Sequence, residues 1–259
     1  MVKGKVALVT GAGSGIGKAA AIALAKEGYA IGALGRTASE LDELVAEVKS
    51  QGGTAKALIA DVADPYEMAH AIDQLTETFS RLDVVVANAG INGVWAPIED
   101  LTPEEWDNTI TVNLRGTYLT LNKSVPHLKA AGGGSIIIVS SINGTRTFTS
   151  PGATAYSATK AGQLAMAQQL ALELGQYKIR VNAICPGAIE TKIDDNTDIR
   201  SSRETAVPVE WPEGDIPITG GKAGLSEDVA DLVVFLAGDK SRHITGTPVW
   251  IDGGQGLLR

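Results

Sequence analysis

The stretch VALVTGAGSGIG, Val6 to Gly17, decides how the rest of the chain is read. An apolar run ends at Thr10, a glycine-rich turn follows, and a helix-like pattern covers residues 16–28. Glycine permits positive φ and lets backbone N–H groups approach a ligand without side-chain interference. The helix start beyond the turn adds unpaired N–H groups and a positive dipole end. Gly11, Ser14, Gly15, Ile16 and Gly17 thus form a cradle suited to a pyrophosphate, with the spacing G-x3-G-x-G. Any tight strand-to-helix turn can use glycine, but a glycine turn at the first strand favours a dinucleotide. No Gly-Lys-Ser/Thr ending follows, which sets aside a nucleoside-triphosphate loop.

Outward from this turn, short β-branched apolar runs alternate with longer helical patterns. The runs predict strands over 5–10, 30–34, 55–60, 84–87, 135–140, 179–184 and 247–251. Helices are expected over 16–28, 39–51, 65–79, 103–130, 157–174 and 226–237, with Gly28 and Gly175 just past two of them as C-terminal caps. Near-continuous apolar strands fit a parallel sheet buried on both faces. The alternation reads as an α/β, doubly wound, Rossmann-type sheet of about seven strands with helices on both faces. No repeat or linker divides residues 1–259, so a single domain is expected. The exception to the rhythm is 192–220, aperiodic and holding Pro208, Pro212 and Pro217, which reads as a lid over a substrate.

The 259 residues carry a formal charge of −8, from 30 acidic and 22 basic side chains. This balance disfavours nucleic acid, which needs clustered Lys and Arg. A single cysteine, Cys185, excludes an internal disulfide framework, and it reads as packing in a strand. His70, His127 and His243 share no metal-ligand spacing, so no metal site is expected. No apolar run reaches membrane-spanning length, and the N-terminal run is too short for a signal peptide. A soluble, cytoplasmic protein is the expectation.

The second strand identifies the dinucleotide. An NAD site uses a carboxylate about 20 residues beyond the glycine turn to accept the ribose 2′-hydroxyl. Here the strand ends Leu34-Gly35-Arg36-Thr37, where Gly35 leaves space and Arg36 offers a planar fork of donors for a 2′-phosphate. NADP(H) is therefore favoured. NAD(H), with Arg36 at the surface or stacked on adenine, is the alternative.

Further along stand Asn88-Ala89-Gly90, Asn113, Ser141, Tyr156-Ser-Ala-Thr-Lys160 and Pro186-Gly187. In this order, with the first glycine turn, they resemble the short-chain dehydrogenase/reductase family over essentially the whole chain. Tyr156 and Lys160 lie four apart on a predicted helix and share a face. A free phenol titrates near 10, and a nearby ammonium favours the phenolate, moving Tyr156 toward useful acid/base strength. The resemblance implies that Lys160 also bonds the nicotinamide ribose and that Ser141, rather than Ser140, polarises the substrate oxygen. It likewise implies a helix asparagine, Asn113, holding a water that links Lys160 to solvent. Asp61 and Val62 would meet adenine; Asn88, Ala89 and Gly90 would let the backbone approach the cofactor. Pro186, Gly187, Ile189 and Thr191 would line the nicotinamide. The interval from Ser141 to Tyr156, 15 residues, is longer than usual in the family.

The activity so implied is hydride transfer between a nicotinamide and a small hydroxy or keto compound. A 3-oxoacyl thioester (acyl-carrier-protein) reductase is the alternative enzyme, and a dinucleotide-sensing or scaffold protein the non-enzymatic one. Val207, Val209, Trp211 and Ile216 would offer apolar contacts from the lid. The helices over 103–130 and 157–174, with the C-terminal strand as a second interface, imply a homotetramer by the same resemblance.

Overall fold

Strands with apolar residues at every position must be covered on both sides, and the chain supplies a helix layer for each. The computed structural model describes residues 4–191, 193, 197–206 and 216–258. In chain order the first half runs β1 (Val6–Thr10), α1 (Gly15–Lys26), β2 (Ala30–Gly35), α2 (Ala38–Ser50), β3 (Thr54–Ile59), α3 (Pro65–Phe79), β4 (Val84–Ala87), β5 (Gly93–Trp95) and α4 (Pro103–Ile110). The second half runs α5 (Gly116–Ala130), β6 (Gly134–Val139), α6 (Thr154–Gly175), β7 (Ile179–Pro186), β8 (Thr197–Ile199), α7 (Ser202–Thr205), α8 (Ser226–Ala237) and β9 (Pro248–Ile251).

Seven strands form one parallel sheet in the order β3-β2-β1-β4-β6-β7-β9. Side chains alternate between two cores, as the period of a strand requires. Val6 and Leu8 face α3, α5 and α6 together with Val85, Ile136 and Ile138. Ala7 and Val9 face α1, α2 and α8 together with Val84, Val86 and Ile137. The described helices include none long and apolar enough to cross a membrane.

Four local expectations are corrected. The helix expected over 103–130 is α4 and α5 joined by a π-turn, Thr111–Arg115, which contains Asn113. Such a turn inserts a residue into the ladder and is frequent at functional sites. Gly175 is the last residue of α6 rather than its cap, because the chain runs on through Gln176 and reverses at Lys178, φ 58°. β5 and β8, three residues each, pair in parallel as a second small sheet, so part of 192–220 is regular. Val207, Val209 and Trp211 lie outside the described residues, while Ile216 is buried against Gly253 rather than lining a cleft.

The glycine turn must pass close beneath α1. Gly11 has φ 64°, and a Cβ on Gly17 would overlap the Gly11 carbonyl oxygen. Gly17→Ala should push α1 off the turn and cost about 1–3 kcal/mol, measured by urea unfolding. An unchanged midpoint would show that this approach is not needed.

Candidate active site

The order of strands puts the site where it is. The chain leaves β1 toward β2 and β3, then returns to β4 on the other side of β1, which opens a crevice at the carboxyl ends of β1 and β4. Thr10 ties the two sides together. Its hydroxyl accepts from the N–H groups of Asn88 (3.0 Å) and Ala89 (3.1 Å), and Asn88 Nδ2 donates to the Thr10 carbonyl at 3.0 Å.

Two clefts of 380 and 640 Å³ open there. The smaller is lined by Gly11, Ser14, Gly15, Arg36 and Ala89, the larger by Ser141, Tyr156, Lys160, Pro186, Gly187 and Ile189. Ile16, Asn88, Gly90, Thr191 and Ile193 border both, so they form one continuous groove. Most residues singled out from sequence therefore meet in one place. Gly17, Asn113, Asp61 and Val62 do not line the groove. The Asp61 carboxylate accepts from the Ala63 N–H at 2.9 Å, and Val62 packs against Gly116.

Tyr156 enters from the first turn of α6 and Lys160 from the next; they are 7% and 4% exposed. Lys160 Nζ lies 5.3 Å from the Tyr156 ring centroid and donates to the Val139 carbonyl at 3.1 Å. Burial brings the Lys160 ammonium down from 10.5 to about 8. Among the described residues Lys160 has no carboxylate partner, and a cation so buried is expensive and persists where a function uses it.

The neighbouring hydroxyls divide their tasks. Ser140 Oγ donates to the Lys160 carbonyl at 2.8 Å, so its proton is committed to the wall of the helix. Ser141 Oγ accepts from the Asn143 N–H at 3.1 Å, and its own hydrogen is bound to no described residue. Ser141 is thus the serine able to donate into the cleft. Cys185 is fully buried behind this wall, and burial pushes its thiol up, as a packing role requires.

Asn113 is fully buried, and its amide bonds Ile91 in both directions. Oδ1 accepts from the Ile91 N–H at 2.8 Å, while Nδ2 donates to the Ile91 carbonyl at 2.8 Å and to Thr159 Oγ1 at 3.2 Å. The main-chain carbonyl of Asn113 accepts from Thr117 Oγ1 and Gln163 Nε2. A Cβ on Gly90 would lie 3.2 Å from Asn113 Oδ1 and 3.7 Å from Lys160 Nζ. Asn113 therefore fixes the strand-end loop against Lys160. Both hydrogens of the Asn113 amide are used within the protein.

Sequence reasoning missed the far wall of the larger cleft. Trp95 stands with its ring 6.2 Å from that of Tyr156, tilted by 48°. Asn92, Asn143, Thr147, Thr149 and Ser150 complete that wall. Asn143 Oδ1 accepts from Thr147 Oγ1 and Ser150 Oγ, both at 3.0 Å, which shapes the long interval between Ser141 and Tyr156. The run of hydroxyl and amide residues in that interval was the available signal.

The family model described as short chain dehydrogenase matches residues 5–201. The 3-oxoacyl-[acyl-carrier-protein] reductase FabG of Thermotoga maritima is 38% identical over 98% of this chain and 98% of its own. A crystal structure of a 3-ketoacyl-ACP reductase from Sinorhizobium meliloti aligns at TM-score 0.96 with 65% identity, covering 98% of this chain and 100% of that one. A short chain dehydrogenase from Burkholderia cenocepacia in complex with NADP aligns at 0.85 with 33% identity and 98% of each chain. A 3-ketoacyl-(acyl-carrier-protein) reductase from Brucella melitensis complexed with NADH aligns at 0.86 with 32% identity, covering 99% and 100%. The order of the motifs, the sheet and these likenesses agree, and the chain belongs to the short-chain dehydrogenase family.

Proposed function

We propose that the protein interconverts a small hydroxy compound and its carbonyl by hydride transfer, with Tyr156 as general acid/base. As a family member it is an NAD(P)-dependent oxidoreductase acting on carbonyl or hydroxyl groups. The residues present suit such a cofactor. The glycine turn leaves no room for a Cβ at Gly17, and the groove continues without a break from Arg36 to Tyr156. Bound along it, a nicotinamide dinucleotide supplies or removes the hydride.

One observation carries the assignment of Tyr156: its phenol and a buried ammonium whose pKa burial lowers share one face of α6 and one cleft with Ser141. In reduction, Tyr156 gives its proton to the substrate oxygen while the Ser141 hydroxyl donates to the same oxygen. The Lys160 ammonium stabilises the phenolate left behind and then serves its reprotonation. Asn113 keeps Gly90 and Ile91 in position beside that ammonium.

The hydroxyl and amide groups of Asn92, Asn143, Thr147, Thr149 and Ser150 favour a compact polar substrate such as a sugar, polyol or ketone. A second reading, a 3-oxoacyl thioester reductase, draws support from the names of the Thermotoga and Sinorhizobium relatives. Initial rates on sugars, ketones and acyl thioesters separate the two. The guanidinium of Arg36 supports a preference for NADP(H) over NAD(H). The reading also takes residues 1–259 as one cytoplasmic domain with a lid across 192–220, of which 192, 194–196 and 207–215 lie outside the described residues. A homotetramer is supported by the apolar groove between α5 and α6, where Tyr118, Leu121, Val125, Met166 and Leu170 meet; light scattering tests it.

Tyr156→Phe should lower turnover about 10²–10⁴-fold while leaving cofactor binding in place. Full turnover with a confirmed substrate would remove Tyr156 from the chemistry. The reduction rate of the unaltered enzyme should fall as pH rises through about 8, where the Lys160 ammonium loses its proton.

Lys160 also links activity to stability. Its folded value lies below the 10.5 of the exposed group, so the unfolded chain binds this proton more tightly, and the cost to folding is fully present below about pH 8. That cost fades as pH rises from there toward 10.5 and amounts at pH 7 to about 3 kcal/mol. Lys160→Met should therefore abolish most turnover yet raise the unfolding free energy of the cofactor-free protein at pH 7. A less stable variant would show that the bond to Val139 outweighs the buried charge.

A further inference from the structure

The smaller cleft carries a carboxylate that neither helix capping nor ion pairing explains. Thr37-Ala-Ser-Glu40 has the sequence of a capping box at the start of α2. The same pattern at Thr102-Pro-Glu-Glu105 forms the box in α4. There the Thr102 N–H donates to Glu105 Oε2 at 3.0 Å, and the Glu105 N–H donates to Thr102 Oγ1 at 3.3 Å. At α2 no side-chain cap bond is made. Glu40 instead lies over the glycine turn, where a Cβ on Gly13 would sit 2.5 Å from Glu40 Oε2 and 3.0 Å from Glu40 Cβ.

Glu40 is half-buried and, among the described residues, makes no hydrogen bond or ion pair through its carboxylate. Seven residues further on the same helix, Glu47 pairs with Lys18 at 3.1 Å, so the cation of α1 is already engaged. Arg36 borders the same cleft, and the described residues show no ion pair between it and Glu40. The cleft thus presents a guanidinium and a carboxylate that do not neutralise each other.

We propose that Glu40 is a cofactor-selecting residue: its carboxylate accepts a hydrogen bond from an adenosine-ribose hydroxyl and repels a 2′-phosphate, offsetting Arg36. This rests on the reading of the groove as the dinucleotide site. An unphosphorylated ribose offers hydroxyl donors to a carboxylate, whereas a phosphate offers only acceptors and negative charge. The two side chains together give the cleft a narrow preference between NADP(H) and NAD(H), where Arg36 alone would impose a wide one.

The test is the affinity of the purified protein for NADPH and for NADH, read from the fluorescence of the reduced cofactors without any carbonyl substrate. Glu40→Gln keeps the shape and removes the charge. It should tighten NADPH about tenfold, as expected for one charge at a partly screened site, and weaken NADH. Arg36→Gln should move the ratio the other way. A Glu40→Gln ratio equal to that of the unaltered protein would overturn the proposal while leaving the groove as the cofactor site. Equal changes for both cofactors would likewise overturn it, since a purely structural role of Glu40 has that signature. Absence of binding of either cofactor to the unaltered protein would overturn the groove reading and this proposal together.

Discussion

The gap between the carboxyl ends of β1 and β4 is the constraint from which the rest of the site follows. Two strands diverge in connection there, so no loop covers the crevice, and the backbone at both ends must still be satisfied. One hydroxyl does much of this. Thr10 accepts two N–H groups from the loop after β4, and Asn88 returns a bond to the Thr10 carbonyl. The glycine turn and the Asn88-Ala89-Gly90 loop are thereby held as one surface. Asn113 locks the next residue, Ile91, from the opposite side. Three short segments far apart in sequence become a single rigid floor, which is what orienting two reactants requires.

The layered core was legible because burial on both faces leaves a strong imprint. Val84–Ala87 is apolar at every position and became a central strand over those same residues. Spacing also sufficed for Tyr156 and Lys160, since four residues on a helix fix a shared face whatever surrounds them. The features that escaped depend on tertiary contacts. β5 and β8 have three residues each and exist only because they pair with one another, Gly93 opposite the sequence-distant Thr197. The π-turn at Asn113 has no compositional mark, because it follows from what Ile91, Thr117 and Gln163 require of that residue. The pattern Thr-x-x-Glu gave a box in α4 and none in α2, where Glu40 lies over the glycine turn instead, so the motif alone does not decide the cap.

The choice between Ser140 and Ser141 shows the same principle within the site. Adjacent residues at a strand end point to opposite faces, so one hydroxyl must meet α6 and the other the cleft. Ser140 satisfies the Lys160 carbonyl, helping to hold the turn of helix from which the ammonium projects. Substituting the wrong serine would disturb the site through the helix, whereas substituting Ser141 removes a donor from the cleft itself. Neighbouring positions with the same chemistry thus carry different tasks, set by the pleat.

A buried ammonium without a carboxylate is costly in a stable fold, and its surroundings explain why it is tolerated. A carboxylate beside Lys160 would relieve the burial, but it would also hold the proton and place a negative charge next to the phenolate that the proposed mechanism assigns to Tyr156. The Val139 carbonyl gives a hydrogen bond without a full charge, so the cation remains available to the ring 5.3 Å away. The apolar strand wall and the fully buried Cys185 exclude water on one side, which strengthens the interaction that remains. Stability lost at Lys160 and the acid/base role proposed for Tyr156 are therefore two sides of one placement. The tight Thr10–Asn88–Asn113 framework is what lets the fold carry it.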